Sequence, residues 1–292
     1  MVTLAKKEMK HNLNNSTISL LVILIVALGI SAFQAADPQP LDRQPLDRQP
    51  LDRYRQVPNS SFGKGERLEY RVHYGFINAA EARIDVSNSI VNVNNRPCYR
   101  VNVFGRTVGA FDLVSRVRDQ WRSYIDTSAI LPQMFKQEIE EGKYRKEETV
   151  LFNHGSNVVY SSVKEDKKSF KVPNNIHDVI SGYYYLRTVN FDRMSVGQTI
   201  EVPTFFGGEV FSMKVRYRGK DEIKTKFGRI KVLKLNPVMP DNKFFKGEES
   251  INIWVSDDVN KIPVKVAVNL WIGSLDMDLK SYKGLQSTMD WM

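Results

Sequence analysis

Cysteine is almost missing from this chain: Cys98 is the only one in 292 residues. One thiol cannot close a disulfide within the chain, and no zinc site can be built on thiolates. No cysteine follows the apolar N-terminal run, which excludes lipid attachment of the bacterial lipoprotein type. No Cys-His signature surrounds Cys98, so a small core residue is a better reading than a nucleophile. Histidine is scarce too. Beyond the first 36 residues, which hold His11, the histidines are His73, His154 and His177, far apart and without paired spacing, so no metal site is assigned. Asp276 and Asp278 share a strand face and Asp257-Asp258 occupy a turn, and neither pair resembles a calcium loop. The glycines of "FGKGER" (62–67) lack the strand-to-helix context of a phosphate loop, and no Gly-x-Ser-x-Gly elbow occurs. No cofactor is therefore expected. Single-sign charge runs are absent as well. Of 42 basic and 33 acidic residues, three and one lie in the first 36, which leaves +7 for the rest. Bases alternate with acids, as in "EIEEGKYRKEE" (138–148), a pattern of solubility rather than of a nucleic-acid partner.

What is present begins at the N-terminus. Lys6, Lys7 and Lys10 precede "LLVILIVALGI" (20–30), and the small residues Ser31, Ala32, Ala35 and Ala36 follow. This basic, apolar, small-residue order is that of a secretory signal, so residues 1–36 read as an export signal cleaved after Ala35 or Ala36. Counted generously, the apolar stretch runs from Ile18 to Phe33, somewhat short of the about 20 residues of a spanning helix. An uncleaved anchor over 18–33 is the alternative, and either way the bulk of the chain lies outside the cytoplasm. Three copies of QPLDR fill residues 39–53. A proline in every fifth position forbids helix and sheet alike, so 37–60 reads as a solvated linker.

From residue 61 onward the pattern is that of one β-rich domain reaching 292. "LEYRVHYGF" (68–76) places Leu68, Tyr70, Val72, Tyr74 and Phe76 on one face and Glu69, Arg71 and His73 on the other. "AEARIDV" (80–86) alternates likewise, and twelve further candidate strands follow, from 98–104 to 274–282. Period-two alternation with one apolar face implies half-buried strands in antiparallel sheets. Turn signals at Glu141-Gly142, Glu165-Asp166, Gly207-Gly208 and Asp257-Asp258 separate them. The expected fold is mainly β, a large antiparallel curved sheet forming a half-barrel or sandwich, with one main helix packed against it. "TVGAFDLV" (107–114) breaks the alternation and is expected as a short helical or looped crossing.

The main helix is expected over 175–189, within "NNIHDVISGYYYLR". Asn174 or Asn175 is a candidate cap, and Asp178 suits a helix N-terminus. At about 100° per residue, Ile176, Val179, Ile180, Tyr183 and Leu186 form an apolar stripe, with His177, Ser181, Tyr185 and Thr188 opposite. Tyr183 is then core, Tyr184 flanks it and Tyr185 points away. Gly182 suggests close approach to a sheet. His177, Asp178 and Ser181 hint at a catalytic triad, but adjacent helical residues do not face each other, so no catalytic residue is assigned. Arg187 falls within about 20° of Ile176, inside the apolar stripe. It either snorkels, or enters the interior and needs an anion, an internal salt bridge being favoured over a ligand contact.

"GERLEYRVHYGFINAAEARIDV" (65–86), "DVISGYYYLR" (178–187), "FGRIKVLKL" (227–235) and "IWVSDDVNKIPVKV" (253–266) with "GSLDMDL" (273–279) together resemble the 3108 domain-of-unknown-function family. The resemblance covers about residues 61–290 in order and spacing. It implies an exported protein of a Gram-negative envelope, periplasmic or membrane-proximal, with a curved antiparallel sheet under helical cover. That outline is similar to the incomplete barrels of periplasmic lipoprotein carriers, and the resemblance carries no catalytic residues. The expectation is a half-barrel cavity that holds a hydrophobic or lipid-like ligand, with Arg187, Tyr183 and Tyr184 as its contacts. A structural or protein-interaction module is the alternative, and a hydrolase using His177 with a distant acid is the third reading.

Overall fold

The computed structural model describes residues 54–238, 249–270 and 273–292. The export signal and the repeats of the linker lie outside the described residues. Among the described residues, fourteen strands form one antiparallel sheet. They are β1 (Arg67–Tyr74), β2 (Ile77–Val93), β3 (Arg96–Thr107), β4 (Arg118–Asp126), β5 (Pro132–Glu141), β6 (Tyr144–Asn153), β7 (Val158–Val163) and β8 (Asp166–Lys171). Then follow β9 (Thr199–Phe206), β10 (Glu209–Thr225), β11 (Gly228–Pro237), β12 (Ile251–Ser256), β13 (Pro263–Asn269) and β14 (Ser274–Lys283). Two helices accompany them, α1 (Gly109–Val114) and α2 (Val179–Arg187), with a 3-10 turn at Phe191–Arg193.

The strand order explains the shape. Two meanders, β1 to β8 and β9 to β14, join where β1 pairs with β14, so β8 and β9 become the two edges. The chain passes between those edges through α2. Alternation drives the curl: Leu68, Tyr70 and Val72 of β1 are buried while their neighbours are not, and the same holds along β4 and β13. Bulges at Glu69/Tyr70, Val86/Ile90 and Tyr217/Lys220 bend the long strands further. The sheet does not close by hydrogen bonds. Its edges meet instead through Phe170 of β8 and Phe205 of β9, ring centroids 5.0 Å apart. The chain before α2 then covers the β9 edge, since His177 N–H donates to Pro203 O and Phe205 N–H to His177 O. An unclosed, barrel-like curl is the result, and a sandwich is not.

Three expectations need correction here. β2 has 17 residues rather than the seven of its alternating stretch, because Ile90, Val91, Asn92 and Val93, beyond a bulge and largely outside the core, still pair with β3. Phe76 is not on the inner face: β1 ends at Tyr74 and the hairpin turn leaves Phe76 fully exposed. Residues 54–60, expected as the end of the linker, pack against the fold. Val57 N–H donates to Ser128 O, and Arg55 Nε donates to Ala129 O.

Candidate functional site

Helix α2 lies inside the curl and touches both halves of the sheet. It starts at Val179, not near 175, and its N-cap is Asp178 rather than Asn174 or Asn175. The Asp178 carboxylate accepts from Ile180 N–H and Ser181 N–H at 2.8 Å each, and from Ser123 Oγ at 2.6 Å. Ser181 completes a capping box by accepting from Asp178 N–H. Asn175 sits at φ +56°, a turn conformation outside the helix. Gly182 does mark a close approach: a Cβ there would stand 2.9 Å from Met213 Cε and 3.5 Å from Val202 Cγ1. Gly182→Val is accordingly expected to cost about 2–3 kcal/mol by overpacking, read by urea denaturation, whereas Gly182→Ala stays within about 1 kcal/mol because Met213 can swing aside.

The side expected to be polar is buried as well. His177, Asp178 and Ser181 have no exposed surface. The reason lies in the N-terminal segment, which covers this side of the helix. Arg55 donates to His177 Nε2 at 2.7 Å, which makes Nε2 the acceptor and Nδ1 the protonated nitrogen, 3.2 Å from Ser181 Oγ. Burial holds His177 well below the usual imidazole range, and the cation of Arg55 acts in the same direction. The Asp178 carboxylate is occupied by Ser123 and the helix amides, so it does not orient His177. With an arginine on one nitrogen and a buried serine on the other, His177 is not arranged as a general base, and the hydrolase reading loses its central residue.

The tyrosines also differ from expectation. Tyr184, expected at the flank, is fully buried and packs edge-on against Phe62 at 4.5 Å, while Tyr183 and Tyr185 are half-buried. Tyr185 lies against the His177 ring, with the Arg55 guanidinium 4.3 Å above its own ring. Arg187 enters the interior and finds its anion. Its Nη1 and Nη2 donate to Glu66 at 2.6 and 2.7 Å, Nη2 also donates to Ser61 O, and Nε donates to Asn260 O. Tyr184 Oη adds a bond to the same Glu66 carboxylate at 3.2 Å. Burial opposes the guanidinium charge, but Glu66 and the two tyrosines outweigh it and raise the Arg187 pKa.

Beside this network is a cavity between α2 and the inner face of the sheet. Its wall is mostly apolar, including Ala82, Ile84, Val215, Leu235 and Met277. Its polar members are Tyr70, Tyr183, Arg187 and Lys261. The Tyr70 and Tyr183 hydroxyls are buried without a hydrogen-bond partner. Atom-free space amounts to about 700 Å³ counting the part open to solvent, of which about 50 Å³ can hold a water centre. It is a narrow slot as it stands. Two of the three expected contact residues, Tyr183 and Arg187, therefore line one cavity, and Tyr184 does not. Tyr70 and Lys261 belong to it although sequence reasoning missed both. Tyr70 was legible as an inward residue, but nothing in the sequence marked its hydroxyl as unpaired. A second, more open recess crosses the outer face over Ala82 and Gly105, with about 1040 Å³ of atom-free space counting the part open to solvent, of which about 500 Å³ can hold a water centre. Most of its charges are already paired: Arg83 with Asp85, Arg106 and Lys280 with Glu81, and Arg118 with Asp112.

Buried acids and buried imidazoles oppose each other in the pH response. Burial, with Glu141 close by, lifts Asp119 to about 7, and burial lifts Asp178 to about 6. Each keeps its proton in the folded state at pH values where the unfolded chain has lost it. Their stabilising share is therefore greatest at low pH and is lost as pH rises through those values. Burial lowers His154 to about 4 and holds His177 well below its ordinary value, and their share is present above the unfolded value near 6.5 and lost as pH falls. Asp119→Asn isolates one side. It keeps an acceptor for Glu140 N–H and is expected to stabilise the protein by about 1–2 kcal/mol at pH 8, an advantage that vanishes by about pH 4. Melting temperatures across pH test this, and an equal gain at both ends would contradict it.

The sequence profile of the family described as a protein of unknown function, DUF3108, matches residues 69–280. The chain belongs to this family. The match takes in β1 through most of β14 and so covers both meanders, α2 and the Arg187–Tyr183 cavity. No curated protein matches this DUF3108 member. Among solved structures, a β-barrel-like protein of the DUF1849 family from Brucella abortus is similar, with a TM-score of 0.50 and 11% identity over 77% of this chain and 99% of that one. A DUF1089-family protein from Pseudomonas aeruginosa gives a TM-score of 0.37 and 9% identity over 64% of this chain and 88% of that one. The first likeness shows the barrel-like fold of this DUF3108 domain and nothing about its ligand.

Proposed function

We propose that this DUF3108 protein is exported to the cell envelope of a Gram-negative bacterium and binds a slender apolar ligand with a polar end, such as a fatty acyl chain. The observation that carries the reading is the amphipathic cavity: an apolar wall with two unpartnered hydroxyls, Tyr70 and Tyr183, and the amine of Lys261. Buried hydroxyls without partners are rare, and a ligand's carboxyl or ester oxygen would satisfy them. Arg187 contributes shape more than charge, because Glu66 already neutralises it. The slot must widen for a chain to enter, and the motion falls on α2 and the 3-10 turn that follows it. Export rests on the order of bases, apolar run and small residues in 1–36.

Uptake of cis-parinaric acid, followed by its fluorescence, tests the proposal. Ala82→Leu is expected to abolish uptake by filling the slot, at an overpacking cost of about 1–3 kcal/mol. Tyr183→Phe is expected to weaken uptake with little change in melting temperature. No uptake by the wild type, or equal uptake by Ala82→Leu, counts against the proposal.

A further inference from the structure

Among the described residues, the end of the sheet carrying the β1–β2 turn and α1 exposes large apolar side chains. Phe76 at the turn is fully exposed, Leu113 on α1 is 90% exposed, and Ile77 and Val114 are about half exposed. No residue of α1 is buried. Such groups do not protrude by looseness, for the base beneath them is fixed. Val108 N–H donates to Ala79 O, and the Phe111 ring stands edge-on to Tyr74 at 6.2 Å. Asp112 of α1 accepts from Thr107 Oγ1 at 2.8 Å and from Arg118 at 2.7 and 3.0 Å. This pairing holds the Asp112 carboxyl down at about 2 and neutralises the acid of α1.

Two exposed cations lie alongside. Arg116 follows α1, and its carbonyl accepts from Gly142 N–H, which brings the β5–β6 turn alongside. Arg116 and Lys143 are exposed, and neither has an ion-pair partner among the described residues. Tyr144 of the same turn is 55% exposed. Four large apolar side chains on a rigid tip, beside two unpaired cations, match the depth profile of a bilayer interface: apolar groups at the acyl boundary, cations at the phosphates, a tyrosine between. A protein partner would be served better by a flat face or groove than by isolated protrusions. The chain enters the fold at the other end, where Tyr54 lies against Arg96 and His154, so the preceding segment does not leave from this tip.

We infer that this end of the domain docks on an anionic lipid surface, inserting Phe76, Ile77, Leu113 and Val114 with Arg116 and Lys143 at the headgroups. The inference is independent of the cavity.

Vesicle co-sedimentation tests it. The purified protein is mixed with phosphatidylcholine vesicles with and without about 30% phosphatidylglycerol, a fraction that gives a surface potential able to attract two cations. The wild type is expected to sediment with the anionic vesicles and to be released by salt. Phe76→Ser/Leu113→Ser and Arg116→Glu/Lys143→Glu are each expected to weaken binding at least about tenfold with unchanged melting temperature, since none of these side chains is buried. Absence of binding to anionic vesicles, or equal binding by the apolar double variant, overturns the inference. So does sedimentation equilibrium showing a dimer that Phe76→Ser/Leu113→Ser dissolves, which would give the patch to a second copy.

Discussion

Glu66→Ala is expected to remove about 3–5 kcal/mol of unfolding free energy, the toll of stranding a buried charge. The Arg187 guanidinium keeps only two carbonyls, Ser61 O and Asn260 O, once the carboxylate is gone. Tyr184 Oη loses its acceptor in the same step. A domain of ordinary stability, about 5–15 kcal/mol, would be left close to its threshold. Urea denaturation measures the loss. The double variant Glu66→Leu/Arg187→Met is the control, because an apolar pair of similar volume avoids the desolvation of both ions and is expected to recover most of the stability. A loss below about 1 kcal/mol for Glu66→Ala would mean that water reaches the pair. The double variant also separates the two roles of Arg187: retained cis-parinaric acid uptake makes it structural, and lost uptake with retained fold makes it a ligand contact.

Asp178→Ala should cost nearly as much, about 3–5 kcal/mol, because three donors lose one acceptor at once. Ile180 N–H, Ser181 N–H and Ser123 Oγ all point at the Asp178 carboxylate, and residues 123, 178 and 181 are fully buried. A surface cap is worth about 1 kcal/mol, and the excess here comes from burial without replacement water. Asp178→Asn retains one acceptor oxygen and drops a charge that burial already disfavours, so it is expected to lose only about 1–2 kcal/mol. Hydrogen exchange at Ile180 and Ser181 should quicken in Asp178→Ala well beyond the change in the outer strands. Uniform quickening across the sheet would show that the cap holds the whole fold rather than the start of α2.

The strands were legible because period-two alternation is a local property. Alternation over 116–125, 198–205, 229–236 and 274–282 falls within two residues of the observed ends of β4, β9, β11 and β14. Their pairing followed from short turns, which make successive strands antiparallel neighbours. The main helix was legible in place but not in surroundings. Sequence periodicity assumes one buried face, whereas α2 lies inside a curl and is covered on its other side by Arg55, Ser61 and Phe62. That cover comes from more than a hundred positions away, at the border of a segment whose proline repeat spoke only for a linker. His177 and Ser181 therefore turned out buried, and the Tyr183 and Tyr184 assignments were exchanged.

By itself the sequence determined the β-rich class, the main helix between the two runs of strands, the anomaly of Arg187 and the want of thiolate or histidine clusters, since each depends on residue type and spacing alone. The tertiary structure decided that Glu66 is the anion for Arg187, that Tyr70 and Tyr183 share a cavity, and that Phe76 stands free beside Leu113. Those facts join residues far apart in the chain through strand pairing and curl, and no local pattern encodes where a curled sheet brings two distant side chains together.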